Sequence, residues 1–511
     1  MVHSVAMRLL PLLALALPLL AQQPDFPVNL RQGIMAGEVT DTSVILQSRL
    51  TSASPYQDPR WEGIRGAGGW AYFEISDNPG FRNTRKTDWL RAIPKSDFIV
   101  KLKVGGLEPA GRYHYRLHYG PAKDNVRASE PATFRTLAGK NKAEAYTLAI
   151  VTGMNYSFFH YTGAYGRTKP YSGPDKHLGY PALESIRKLE PDFFIGTGDN
   201  VYYDHPGHRG RAQTKHEMRK KHHEQYSQQR FLDLFRGAAT YWMKDDHDHR
   251  FDDSDQVNAV RIGHAKQLPY YPKTNIWEGE SGSGFAPLHE LGVRVFREQL
   301  PVVDPSDPAA VTYRTYRVSR DLQIWFVEGR DYRSPNDMPD GPWKTIWGDE
   351  QKAWLKRTIK ESDATFKFLV SPTPMVGPDS AGKRDNHTNV SGFRHEGDEF
   401  FRWLVDNRIS PKQLFFACGD RHWQYHAIHP DGFEEFSTGA LVDANSIIGS
   451  LPGGANTTDP EGKIRQPFHS PEASGGFLIV TVKPEGNSAV AEFRFHDGKG
   501  KLLYEYAKQP R

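Results

Sequence analysis

Three short stretches of this chain set carboxylates and imidazoles directly behind apolar runs: Leu189–Asp204 (LEPDFFIGTGDNVYYD), Tyr241–His249 (YWMKDDHDH) and Leu414–His422 (LFFACGDRH). A buried strand that ends in such residues delivers hard oxygen and nitrogen donors to the rim of a sheet, where open α/β folds build their sites. Asp199 is the strongest ligand candidate, because one carboxylate can bridge two cations and a cation-bound water becomes nucleophilic. Tyr202 is open between a phenolate ligand to ferric iron and a ring packed behind the loop. In the second stretch Asp246 suits a second metal, while His247 suits protonation of a leaving oxygen. Asp245 or Asp248 is expected to orient His247, and Asp252, Asp253 and Asp255 read as surface acids. Asp420 and His422 share a D-x-H spacing that aims two side chains from one tight loop. His426 and His429 read as packing or surface residues. The mixed donor set suits iron, manganese or zinc, with calcium at a carboxylate-rich position. Together the three rims point to a metal-dependent hydrolase.

Composition limits the alternatives. The chain has 511 residues, enough for more than one core, and its 25% charged and 38% hydrophobic content excludes wholesale disorder and a polytopic membrane protein. A net charge of +4 is too small to argue for a stable nucleic-acid partner. Residues 1–23 differ from the rest. Arg8 precedes the apolar run Leu9–Leu20, which is too short to span a bilayer, so the segment is expected to be a signal peptide removed near Ala21. That places the processed protein in the periplasm or outside the cell, without a transmembrane anchor. Cys418 is the sole cysteine. No intramolecular disulfide can form, and its place in an apolar strand reads as a small buried hydrophobe, ahead of ligation or nucleophilic chemistry.

Short strand signals between Gly, Pro, Asn and Asp turns predict a β-sandwich domain over residues 24–140, closed by the polar seam Gly139–Glu144. A catalytic domain is expected over 141–511, beginning with the strand Tyr146–Val151. A helix near Tyr180–Leu189 then leads into the Phe193 strand, a β-α-β unit that favours parallel pairing. Arg211–Phe235 predicts a long polar helix or helix pair whose basic run reads as a solvated face, with a substrate-facing patch as the alternative. Asp252–Leu300 reads as a lid or active-site insertion. Further strands are expected at Leu322–Val327, Phe366–Val370 and Leu414–Cys418. The last three, Phe477–Val482, Ala489–Phe495 and Leu502–Tyr506, extend the catalytic domain.

Taken in order, GTGDNVYYD, the DDHD of Asp245–Asp248, GDEQKAWL of Gly348–Leu355 and GDRH of Gly419–His422 resemble the alkaline phosphatase D family of metallophosphatases. GIMAGEVTDTSVILQSRL, Gly33–Leu50, resembles the opening of that family's β-sandwich. The resemblance runs from about Gly33 to the terminal strands. It implies an α/β fold: a metallophosphatase-like β-sandwich flanked by helices and preceded by an all-β Ig/fibronectin-like domain. It also implies an extracytoplasmic phosphomonoesterase or phosphodiesterase, acting on a small phosphate ester, with iron plus calcium as the favoured ions and manganese or zinc as alternatives. Carried onto matching positions, it implies Asp199, Tyr202, Asp246, Asp420 and His422 as metal ligands, with His387 a further candidate. It sets His247 on the substrate side, divides Arg330 evenly between contacting phosphate and holding an acid, and leaves Asn155 and Asn200 as substrate-binding candidates. Two positions depart from the pattern. Gly153 stands where a cysteine is expected, and Lys244 where an aromatic residue is usual. The competing readings are a phosphodiesterase acting mainly on phospholipid or nucleotide derivatives, and a secreted protein that binds phosphate esters without turnover.

Overall fold

The computed structural model describes residues 26–53, 64–163, 168–206, 210–256 and 288–510. The expected leader and residues 257–287 of the expected insertion lie outside the described residues.

Two large sheets face each other. The first has nine strands, and at its centre Tyr146–Val151, Phe193–Gly196 and Ala239–Trp242 run parallel. On one side it continues antiparallel into Gly476–Glu485, Ser488–Asp497 and Leu502–Lys508. The second sheet has seven strands, with Leu322–Phe326, Phe366–Ser371, Leu414–Cys418 and Glu434–Thr438 parallel in that order. Strands buried on both faces read as continuous apolar runs, which is why FFIG and LFFAC lack alternation. Leu148, Ile195 and Tyr241 of one sheet share a core with Phe368, Phe415 and Phe436 of the other. Helices close the outer faces. Pro181–Lys188 and Gln229–Phe235 pack on Phe194 and Trp242, while Gly348–Glu361 and Arg394–Asp406 pack on Trp325, Leu369 and Phe416. The result is a mixed α/β body of two stacked sheets between helices, with a β-rich segment at its amino-terminal end.

That β-rich segment divides its strands. Gly69–Ser76 and Arg112–Ala122 organise a six-stranded sheet of their own, but Ile34–Gly37, Val44–Arg49 and Ile99–Val104 extend the nine-stranded sheet. Gly37 meets Thr240, and the Glu38 amide donates to the Thr240 carbonyl at 3.0 Å. This covers the outer edge of the parallel strand Ala239–Trp242, whose unpaired backbone would otherwise be exposed.

The basic stretch after Arg211 forms two helices, Lys215–Tyr226 and Gln229–Phe235, the first opened by a Thr214/Glu217 capping box. Its expected solvated face is partly buried. His223 meets Asp97 at 2.6 Å, His222 meets the Tyr203 hydroxyl at 2.9 Å and Arg219 meets Glu298 at 2.6 Å, so the helix ties the amino-terminal segment to helix His289–Gln299. Among the described residues no helix is long and apolar enough to cross a membrane.

Candidate metal centre

In both sheets the parallel strands point the same way, so the loops after Val151, Gly196, Trp242, Phe326, Ser371, Cys418 and Thr438 gather at one edge. Two turns there require unusual backbone. Asp199 and Asp420 adopt φ of 53° and 58°, the left-handed region that costs a non-glycine residue energy and that clusters at functional sites. Gly198, at φ 113°, lets the loop approach closely, because a Cβ there would lie 2.4 Å from the Asp245 Cβ.

The sheet edges bring Asp199, Tyr202, Asp246, His247, Asp420 and His422 together. Tyr202 donates its hydroxyl to Asp199 Oδ2 at 2.8 Å. His422 Nε2 lies 3.1 Å from that same oxygen and 3.3 Å from the Tyr202 hydroxyl. One ligand atom from each of Asp199, Asp246 and His247 falls within a 4.8 Å group, as does one from each of Asp245, Asp246 and Asp420. Asp199 Oδ1, Asp246 Oδ1 and Asp245 Oδ2 are buried without any hydrogen-bond partner. Orphaned carboxylate oxygens are costly to bury unless something positive meets them. The donors present therefore fit a di- or trivalent cation.

The electrostatics agree. Burial, then the neighbouring Asp246 charge against an opposing pull from His247, holds the Asp199 carboxyl up at about 7. Asp245 is pushed up to about 8 by burial, Arg330 notwithstanding. A nearby cation would reverse both shifts. Burial and the positive His247 and Arg421 hold His422 down to about 3, a neutral imidazole able to ligate. For His247, burial works downward, but Asp204, Asp246 and Asp199 together carry it well above the imidazole range.

The partner of His247 differs from expectation. Neither Asp245 nor Asp248 orients it: both oxygens of Asp204 accept from Nδ1 at 2.9 Å. Asp248 instead accepts the Asn200 amide at 3.2 Å and the Asp245 amide at 2.6 Å, tying two rim loops together. Asn200 is wholly buried in that same tie, donating from Nδ2 to the Met243 carbonyl at 2.7 Å. Asn155 donates to His205 Nδ1 at 2.7 Å and caps the Phe158 amide at 3.0 Å. Asp253 is no free surface acid: it pairs with Lys383, and its amide donates to Asp246 Oδ2 at 2.6 Å. Arg330 is fully buried and donates to Asp245 Oδ1 at 2.6 Å, Asp385 Oδ2 at 3.1 Å and the Ser254 carbonyl at 2.9 Å. Of its two expected roles, the geometry supports holding acids. Lys244, the departure from the aromatic pattern, is buried between Glu328 at 2.7 Å and Asp331 at 2.5 Å.

His387 is placed elsewhere. Its Nε2 lies 3.0 Å from Glu396 Oε2, its ring packs on Trp347, and it belongs to none of the ligand groups among the described residues. His426 stacks on Phe436 and His429 on Phe401. Cys418 is buried, with Sγ 3.5 Å from the Tyr425 hydroxyl. Sequence reasoning missed Asp204, Asp385, Lys383 and Asn445. Only for Asp204, at the end of the first motif, was there a local signal.

Residues 157–467 match the PhoD-like phosphatase family profile, and residues 16–138 match the profile of its N-terminal domain. The chain belongs to the PhoD-like phosphatase family. Alkaline phosphatase D of Bacillus subtilis (strain 168) is 23% identical over 468 residues, covering 85% of this chain and 71% of that protein. A solved structure of PhoD superposes with a TM-score of 0.69 at 16% identity, over 96% of this chain and 92% of that one. The purple acid phosphatase PPD1 from yellow lupin (Lupinus luteus) seeds gives a TM-score of 0.54 at 11% identity, over 93% and 73%. The PhoD-like fold and the clustered donors make this chain a metal-dependent phosphoric ester hydrolase.

Proposed function

We propose that the chain hydrolyses small phosphate esters outside the cytoplasm, with Asp199, Asp246, Asp420, His422 and Tyr202 holding the cations. The observation that carries this is the pair of orphaned oxygens, Asp199 Oδ1 and Asp246 Oδ1, beside His247. Bound cations supply Lewis acidity, offsetting phosphoryl charge and lowering the pKa of water. The chain's own residues do the rest. Asp199 and Asp246 would hold the cations that meet the anionic end of the ester on the sheet rim. Asp204 clamps Nδ1 of His247, leaving Nε2, 3.8 Å from Asp252 Oδ1, to give a proton to the departing alcohol oxygen. Arg330 keeps Asp245 and Asp385 in place from beneath. No serine or cysteine nucleophile is required. Iron and calcium are the favoured ions, with manganese or zinc as alternatives, and an all-oxygen-and-nitrogen donor set accommodates each of them.

The test couples metal content to turnover of matched phosphomonoesters and phosphodiesters, before chelation and after return of single metals. Loss and metal-specific recovery are expected. Full turnover in a metal-free protein, or tightly held metal with no turnover on either ester, would remove the reading. Export is supported by the leader-like residues 1–23 and is checked by sequencing the processed amino terminus.

A second reading, a preference for diesters with an apolar alcohol, is favoured by one feature. Ile447 and Ile448 are 37% and 73% exposed, and the Ile447 amide donates to the His422 carbonyl at 3.1 Å, which sets an apolar step beside a ligand. Ile448→Ser should lower kcat/KM for such diesters while leaving a small monoester unchanged.

A further inference from the structure

Position 153 carries no side chain, and the structure shows what occupies the space. The strand Tyr146–Val151 ends in a bridge between Thr152 and Ala440, and the Leu441 amide donates to the Thr152 carbonyl at 2.8 Å. Gly153 follows at φ +64°. A Cβ built there would lie 2.9 Å from the Ala440 Cβ and 3.2 Å from Asn445 Nδ2. The first distance is closer than side-chain atoms pack, so Ala440 closes most of that space, and the second is tight enough that the Asn445 amide would have to give by a few tenths of an ångström. Asn445 is 2% exposed. Its Nδ2 donates to the Gly153 carbonyl at 3.2 Å and to the Tyr202 hydroxyl at 2.8 Å. Because a carbonyl can only accept, the nitrogen assignment of the carboxamide is settled by Gly153. The Tyr202 oxygen thus accepts from Asn445 and donates to Asp199, with His422 on its third side.

We propose that Asn445 is a positioning residue for the metal centre: its carboxamide, packed with Ala440 over Gly153, fixes the Tyr202 oxygen against Asp199 and His422. The Tyr202 side of the centre is then a cation site of oxygen and nitrogen donors alone. Cys418 supplies no thiolate there, since it lies in the core between the second sheet and its helices. An N–H aimed at a phenol oxygen stabilises the phenolate, so Asn445 favours the ligating form and holds its direction. Loss of such a supporting contact commonly weakens metal binding about 10–100-fold. This inference rests on the reading of Tyr202 as a ligand.

The full chain loaded with iron(III) separates the two. Visible absorption reads phenolate-to-iron charge transfer, elemental analysis reads iron per chain, and competition with a chelator reads retention. The native chain is expected to show the charge-transfer band, and Tyr202→Phe to lose it. Asn445→Leu, close in shape but without a donor, should move the band and lower retention about tenfold or more. Gly153→Ala, which drives a methyl against the same amide, should move it in the same direction. A packing change that left the donor on the phenol oxygen would not shift the band. Native band position and retention in both variants would overturn the role of Asn445. Iron bound with no phenolate band in the native chain would overturn its premise, Tyr202 as ligand. Failure of the native chain to take up iron, manganese or zinc would overturn the metal-centre reading itself, and this proposal with it.

Discussion

Two buried clusters of charge meet at the sheet rim and are finished differently. Around Lys244 every charge has a counter-charge from the chain. The ammonium sits between Glu328 and Asp331, the Thr312 hydroxyl donates to Glu328 Oε2 at 2.7 Å, and Arg330 reaches from the same loop to Asp245 and Asp385. Around Asp199 the carboxylates of Asp199, Asp246 and Asp245 keep buried oxygens that accept no hydrogen bond, Arg330 approaching Asp246 Oδ1 only to 3.7 Å. Both clusters are built on carboxylates largely withdrawn from solvent. The closed one is scaffold, and the open one is a place for something the chain does not contain. Buried acids alone therefore say little about function, whereas buried acids with idle lone pairs say a great deal.

The contrast breaks most decisively at Asp199. Asp199→Ala is expected to cut kcat about 10⁴-fold, roughly 5 kcal/mol in the barrier, and to lower bound metal while the thermal transition stays near native. Full activity with full metal content would show that the open cluster is not the centre. Lys244→Met should do the reverse. It strands Glu328 and Asp331, costing about 4 kcal/mol of stability by denaturant titration, with metal content per folded chain retained. A variant with lost metal and unchanged stability would mean that the closed cluster is not scaffold.

His247→Gln sharpens the comparison inside the open cluster. Metal should remain, and kcat should fall about 10²-fold, with the deficit shrinking for esters of acidic alcohols that need no proton. Equal deficits across leaving groups would remove its role as proton donor. The smallest effect concerns Asp204. Burial alone would push its carboxyl upward, but the facing His247 and His205 hold it down to about 2. A depressed carboxyl stabilises the fold above the ordinary carboxylate range and loses that contribution as pH falls through its folded value. The chelated protein should therefore lose about 2 kcal/mol between about pH 4 and pH 2, and Asp204→Asn should flatten that slope. An identical acid profile in the variant would place the clamp elsewhere.

Much of this was legible in the chain. The runs Phe193–Gly196 and Leu414–Cys418 declare themselves as buried strands because both faces are covered and apolar side chains need not alternate. The helix Pro181–Lys188 shows in the spacing of Leu183 and Ile186, and the acids behind each strand end mark the rim. Less legible was the nine-stranded sheet, which takes Ile34–Gly37, Val44–Arg49 and Ile99–Val104 from a segment expected to close on itself. Strand signals state where strands lie and not which edge they join. His387 shows a similar limit. It sits among polar residues between two motifs, yet Glu396, nine positions on, turns it away from the cluster.

Sequence by itself determined the strand and helix identities, the α/β class and the residue types at the rim, because periodicity and breakers act over a few neighbouring residues. The tertiary structure alone decided that Asp204 rather than Asp245 or Asp248 holds His247, that Arg330 and Lys244 close one cluster, and that Asn445 stands over Gly153. Each of those outcomes depends on which loops of distant strands converge at one edge. A charge finds or lacks its partner only in three dimensions.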